Sequence, residues 1–344
     1  MGTRSRPEKG RFANASLAST ERLGEALTPL VPASSRPRAK AGVRVRARRH
    51  RSQEESCAAP EARGGTLVAG KYRLLGPLAR GAMGTIWRAE HVLLGCSVAL
   101  KLIDDRAPLR AEARLRFLRE ARTAAALRGA HVVQLLDYGL DQETPYLVME
   151  LLAGESLRER LLRVGCLSKR ETLRVVSQVA RALSRAHKLC IVHRDVSPNN
   201  VFLAEEDDKV SVKLLDFGIA KWVSECEPRD RSLTLNGTIL GTPSYMSPEQ
   251  LEGASVDSGS DIWALGVIAF ECLLGFVPFR SDSFAGLVLA ICSRPLPEPS
   301  RLTRLPPAFD AWFQRACARD RTRRFGTVLE AASALRRALL AKGD

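Results

Sequence analysis

Several things are missing from this 344-residue chain, and each absence excludes a class. No C-x-x-C pair occurs among its eight cysteines (Cys57, Cys96, Cys166, Cys190, Cys226, Cys272, Cys292 and Cys317), which stand 20 to 70 residues apart. That spacing offers neither zinc ligands nor a disulfide framework, so the thiols read as small core hydrophobes of a reducing compartment. The N-terminus lacks an apolar stretch of roughly 7–15 residues, so no secretory signal is expected. The longest apolar run, Ile262 to Phe279, is interrupted by Glu271 and Pro278 and reads as a buried core helix, with no integral membrane segment expected. No internal repeat is visible. The chain is expected to be soluble and cytoplasmic.

What is present is globular in character. Apolar residues make up 45% and charged residues 26%, enough to bury a sizeable core and too much for a wholly disordered or fibrous chain. The length suits two domains, or one two-lobed domain and a tail. Lys and Arg number 53 against 38 Asp and Glu, a net +15, which raises nucleic acid or an anionic membrane as a first hypothesis. The charge is uneven. Residues 1–66 hold 14 basic and 6 acidic residues, a net of +8, and the remainder holds 39 and 32, a net of +7. Phe12 is the only aromatic in residues 1–66, and no periodicity is sustained there. Such a segment cannot bury enough apolar surface to offset its ordering entropy, and it is expected to be a disordered basic tail. Its densest part, Arg36 to Arg51, has eight basic residues in sixteen but no interleaved aromatics for base stacking. A solvated tail is the favoured reading over contact with nucleic acid or an anionic surface.

From about Lys71 the pattern becomes structured. Tyr72–Leu75, Thr85–Glu90, Ser97–Leu102, Val132–Leu136 and Tyr146–Leu151 are expected strands, and Arg110–Leu127 an intervening helix. Helices are then expected at Leu157–Arg163, Lys169–His187, Asp261–Leu274, Ser283–Ser293, Ala308–Ala318 and Thr327–Ala341. A strand-rich piece before a longer helical one predicts an α+β pair of unequal lobes, with a cleft between them.

Two glycine clusters compete for a phosphate-binding role. Gly65 to Lys71 matches G-x-x-x-x-G-K, but Tyr72 stands where magnesium needs a Ser or Thr hydroxyl, and no strand precedes it. The match is chance. The segment Leu78 to Ile86 lies between two expected strands, where Gly81 and Gly84 allow backbone N–H groups to approach phosphate oxygens. A tight hairpin would need the same glycines. Lys101 ends the apolar strand Val98–Lys101 and aims a charge at the cleft, and Glu120 on the next helix could pair with it. The strongest signal is His193-Arg194-Asp195-Val-Ser-Pro-Asn-Asn200, followed by Asp216-Phe217-Gly218. Phosphoryl transfer needs one carboxylate to accept the nucleophile's proton and hard oxygen ligands to hold Mg²⁺. Asp195 suits the first role; Asn200 and Asp216 suit the second.

Taken together these motifs resemble those of the bacterial eukaryotic-like Ser/Thr protein kinases, over about residues 72–340. The resemblance rests on the glycine-rich loop, VALK at 98–101, HRDxxxxN at 193–200, DFG at 216–218, the GTPSYMSPE segment at 241–249, Asp261 to Gly266, and Asp320 to Arg324. It implies a two-lobed fold with an N-lobe of about 72–150 and a C-lobe of about 151–340. It implies transfer of the γ-phosphate of ATP to protein Ser/Thr hydroxyls, with Mg²⁺ as cofactor and Mn²⁺ as an alternative. Lys101 would contact the α/β-phosphates and pair with Glu120. Asp195 would be the catalytic base, while Asn200 and Asp216 would hold the metal. Leu78, Ala79, Gly81, Gly84 and Ile86 would cover the nucleotide, and Ala99 and Phe202 would sandwich adenine. The backbone of Glu150 and Leu152, after Met149, would form the hinge. Glu249 would pair with Arg324, and Thr242 would bond Asp195.

Two positions depart from the pattern. Ala79 replaces a glycine, which costs little if its φ stays negative. Ser197 stands where Ser/Thr kinases usually carry a Lys, removing a cation near the developing charge. These departures support an alternative, a pseudokinase or scaffold with little turnover. Arg194 beside Asp195 is a cation suited to a phosphate on the segment Asp216–Glu249, so autophosphorylation is expected at Thr234, then Thr238, with Ser232 a third candidate.

Overall fold

The computed structural model describes residues 64–81, 84–103, 111–206, 209–217 and 243–340. The expected basic tail up to residue 63, Ala82 and Met83, Gly218 and the candidate phosphosites Ser232, Thr234 and Thr238 lie outside the described residues, as does Thr242.

The N-terminal lobe is one antiparallel sheet. Its strands are β1 (Leu67–Val68), β2 (Tyr72–Gly81), β3 (Gly84–His91), β4 (Cys96–Leu102), β5 (Leu135–Asp141) and β6 (Thr144–Glu150), in the order β1-β2-β3-β4-β6-β5. Alternation explains it: Tyr72 and Leu74, Trp87 and Ala89, Val98 and Leu100, and Tyr146 and Val148 point to one side and form a single buried cluster. On the opposite side lies α1 (Ala111–Ala125), whose Phe117 and Ala121, four residues apart, pack on Ile103 and Leu147. The helix thus packs on β5 and β6, near Ile103, which follows the strand that carries Lys101.

The larger lobe is mainly helical. A short strand β7 (Gly154–Ser156) leads into α2 (Leu157–Val164), then α3 (Lys169–Lys188). Ser156 with Glu159, and Ser168 with Glu171, close capping boxes that satisfy orphan N–H groups where α2 and α3 begin. The hairpin β8 (Val201–Glu206) and β9 (Lys209–Leu214) follows, then α4 (Pro248–Leu251), α5 (Ser258–Leu274), α6 (Phe284–Cys292), α7 (Pro299–Leu302), α8 (Pro307–Ala316) and α9 (Val328–Leu340). Helix α5 is buried on all sides, from Ser260 to Leu273, and stops where Gly275 takes φ 81°. The apolar run Ile262–Phe279, expected as a buried core helix, supplies most of this central helix and the turn after it. Among the described residues, no helix is long and apolar enough to cross a membrane.

The expected elements need three corrections. Val132–Leu136 is not a strand: Val132 makes one parallel bridge to Leu214, and regular pairing begins only at Leu135. The hairpin β8–β9 had no counterpart in the expected elements, because its alternation is interrupted by Asp and Glu at its turn. Finally, Cys96, Cys166 and Cys190 are exposed, and among the described residues only Cys272 and Cys317 are core thiols, their pKa values pushed up by burial. The Gly65–Lys71 match folds into a turn and the two-residue β1, with Lys71 3.4 Å from Asp137; no helix follows to hold a phosphate.

Candidate active site

The site is assembled from the strand carrying Lys101, the loop after α3 and the end of β9. The loop is held from below by Asp261, a buried carboxylate on α5. Its two oxygens accept the backbone N–H groups of His193 and Arg194, each at 3.0 Å, and one also meets His187 Nε2 at 2.7 Å. Arg194 has φ 64°, a left-handed conformation unfavourable for a side chain with a Cβ, and these bonds hold it there. The Arg194 carbonyl in turn accepts from Gln250 at 2.7 Å. The fully buried His193 ring accepts the Asp195 N–H at Nδ1 (3.3 Å), so Nε2 donates to the Leu215 carbonyl at 2.8 Å. It also packs on Phe217, with ring centroids 4.7 Å apart. One histidine thereby joins the two segments that carry Asp195 and Asp216.

Asn200 donates its amide hydrogens to the Asp195 carbonyl (2.8 Å) and carboxylate (3.0 Å). Its amide oxygen is left for another role. Asp216, at φ 47°, presents its carboxylate to Lys101 Nζ at 2.7 Å. Hard oxygens from Asn200 and Asp216 are the donor set expected of a magnesium site that keeps several ligands for water and phosphate, so these residues fit that ion.

Lys101 corrects one expectation. Among the described residues its ionic partner is Asp216, and no ion pair joins it to Glu120, which is half-buried on α1. A single ammonium at the end of a strand satisfies the nearest carboxylate, and Asp216, turned by its left-handed backbone, is that group.

Most of the rest of the expected nucleotide site lies on the N-lobe sheet, with Phe202 on the three-stranded sheet of the larger lobe and Leu152 beyond β6. Residues β2 and β3 form a hairpin in which Gly81 faces Gly84 and Ala79 faces Ile86, with Leu78 exposed. Ala79 is not among the residues with positive φ, so its methyl meets no backbone penalty. Ala99 and Met149 are cross-strand partners and both buried. Phe202 lies across from Lys213 on the β8–β9 hairpin. Lys213 reaches the Glu150 carboxylate at 3.1 Å, and Glu150 also accepts the Gln134 N–H at 2.8 Å. This contact ties the end of β6 to the larger lobe; a Lys near DFG and a Glu after Met149 were its only trace in the sequence. Leu152 follows, partly buried. Ser197 is buried, and among the described residues its hydroxyl has no hydrogen-bond partner.

Two further networks brace the segment after residue 242. Glu249 and Arg324 form a two-bond pair at 2.6 and 2.8 Å. Burial pushes the Glu249 pKa up, but the bonds from Arg324 and Ser260 outweigh it and hold the value at about 2. The buried Glu271 receives Tyr245 Oη at 2.5 Å and Arg158 at 3.0 Å. Burial still leaves its pKa raised, with Tyr245, Arg158 and Arg280 acting against the rise.

Comparison with known proteins agrees with this geometry. The protein kinase domain family model matches residues 72–333, and the chain belongs to that family. It is 38% identical over 272 residues to the serine/threonine-protein kinase PknD of Mycobacterium tuberculosis, covering 78% of this chain and 40% of that one. It is 35% identical over 261 residues to the serine/threonine-protein kinase pkn3 of Myxococcus xanthus, covering 74% and 48%. The chain thus spans less than half the length of these two relatives. The crystal structure of the M. tuberculosis PknI kinase domain superposes with a TM-score of 0.65 at 28% identity, over 80% of this chain and 99% of that one. The fold is the two-lobed kinase fold.

Proposed function

We propose that the chain is a Ser/Thr protein kinase that uses Mg-ATP, with its catalytic domain at residues 72–340 and residues 1–66 as a basic tail. The observation that carries this reading is the hydrogen-bonded set of Asp195, Asn200, His193, Asp216 and Lys101. The named relatives are serine/threonine-protein kinases, which supports the choice of hydroxyl acceptor. Asp195 accepts the proton of a Ser or Thr hydroxyl as its oxygen attacks the γ-phosphorus and the bond to the β–γ bridging oxygen breaks, releasing ADP. Asn200 fixes the rotamer of that carboxylate. Asn200 and Asp216 would hold Mg²⁺, which would supply positive charge against the phosphates. Lys101 turns from Asp216 toward the α/β-phosphates, with Glu120 as its second partner. Arg194 receives a phosphate added at Thr234, Thr238 or Ser232. The reaction takes place in the cytoplasm.

Incubation with labelled ATP and a generic basic protein tests the reading. Incorporation on Ser and Thr is expected, with Asp195→Asn lowering it by about 10²–10⁴-fold. Retained nucleotide binding without any turnover in the unaltered protein would favour the pseudokinase instead.

A further inference from the structure

Outside the tail, the charge excess is concentrated on one helix. Residues 67–344 carry a net +7, and α3 alone has six basic residues against one acidic, a net of +5. Every exposed residue of α3 is cationic: Lys169, Arg170, Arg174, Arg181, Arg185 and Lys188. Among the described residues none of the six has an ionic partner, whereas Arg158, Arg160 and Arg163 on the neighbouring α2 are all paired. Glu171, the one acid, is taken up by the Ser168 cap. The arginines are ordered. Arg170 and Arg174 are repeated by Arg181 and Arg185 eleven residues on, three helical turns or about 16 Å along the same face.

This arrangement works against the helix. Arg170–Arg174 and Arg181–Arg185 are like-charge pairs at i,i+4, each destabilising by about 0.2–0.5 kcal/mol. Lys169 and Arg170 also stand in the first turn, at the positive end of the helix dipole. Arg185 and Lys188 in the last turn, and Glu171 near Arg174, offset part of this, but among the described residues no ion pair relieves either arginine pair, and a local rule broken without an internal ion pair points to an external partner.

We propose that the exposed face of α3 is a docking surface for an acidic segment of a protein partner, with carboxylates paired at helical i,i+4 spacing and repeated eleven residues on. Four of the six cations are arginines, whose guanidinium groups bind carboxylates with two parallel bonds. The helix contains no Phe, Tyr or Trp on which a base could stack, its His187 being held by Asp261, and exposes no large apolar side chain that could enter a bilayer. An acidic protein is the polyanion that remains. The surface lies outside the catalytic residues, and its test is a binding measurement independent of phosphotransfer.

Fluorescence anisotropy on the full chain would compare two labelled helical peptides of equal composition, one with Glu at the stated spacing and one scrambled. Two variants of equal net charge are needed: Arg170→Gln/Arg174→Gln/Arg181→Gln/Arg185→Gln, and Arg73→Gln/Arg88→Gln/Arg304→Gln/Arg323→Gln. The first is expected to weaken the spaced peptide by about tenfold or more and the second by less than about twofold. The first should also keep or raise the thermal midpoint, since it removes repulsion. Equal losses in both variants would mean net charge alone and overturn the proposal. So would indifference to the scrambling, or a loss in the first variant confined to duplex DNA or to phosphatidylserine vesicles.

Discussion

Lys101–Asp216 and Arg324–Glu249 are nearly equal in length, at 2.7 and 2.6 Å, yet their surroundings differ. Arg324 has a side chain with no exposed area, and beyond Glu249 it donates to the carbonyls of Ala318 and Gly259 while stacking over Trp263. Glu249 takes a further bond from Ser260. Lys101 is also buried, but among the described residues it makes one ionic contact, and its partner Asp216 is 29% exposed. A saturated, buried pair can only be lost, whereas a single contact at the edge of a cleft can be exchanged for another. The first belongs to the stability of the larger lobe and the second to the proposed chemistry.

Removing one partner of each pair breaks or sharpens that contrast. Arg324→Ala leaves the Glu249 charge buried without its main partner and is expected to cost about 3–5 kcal/mol of stability. Chemical denaturation would measure it, and a loss below about 1 kcal/mol would place the pair among ordinary surface bridges. Lys101→Met is expected to lower kcat by about 10²–10³-fold, as loss of one charge-stabilising donor does. Its thermal midpoint should stay close to that of the unaltered protein. If Lys101→Met destabilised the fold as much as Arg324→Ala, the two pairs would not differ in kind.

The same contrast explains what could be read in the sequence. Arg324 and Glu249 meet as the family resemblance implied, and their buried, saturated bonds leave them one arrangement. Lys101 had two candidate carboxylates in the sequence, Glu120 and Asp216, and spacing alone could not say which it meets. Asp195, Asn200 and Asp216 were legible as oxygen-bearing residues on one short stretch. The His193 ring that joins them was not, because its partners are a backbone N–H and a backbone carbonyl, which leave no residue signature. Asp261 was noticed as the start of an apolar helix. That it anchors the loop through two N–H groups is a tertiary fact. The hairpin β8–β9 escaped for a related reason: its strands are defined by pairing with each other and with β7, and alternation fails at their polar turn. The exposed Cys96, Cys166 and Cys190 show the limit of composition, since a thiol is equally at home in a core or a turn.

The smallest expected effect separates Glu249 from Glu271, two glutamates of the same lobe that burial treats alike and neighbours do not. Glu249 in the fold has its pKa at about 2, below its ordinary 4.5, so it contributes stability that is fully present above 4.5 and is lost as pH falls toward 2. Glu271 is shifted upward, so the fold gains from its protonation as pH falls through the raised value to 4.5. The two slopes therefore oppose each other. Between pH 5 and pH 4, Glu249 should account for a loss of about 0.7 kcal/mol. Glu249→Gln should flatten the fall in stability over that interval, and Glu271→Gln should steepen it. Glu155, Glu171 and Asp320, also shifted downward, are common to all three proteins and cancel in the differences. Denaturation midpoints at the two pH values would decide. Slopes changed in the same direction by both substitutions would show that burial outweighs the arginine at Glu249, and that the Arg324 pair is weaker than its geometry indicates.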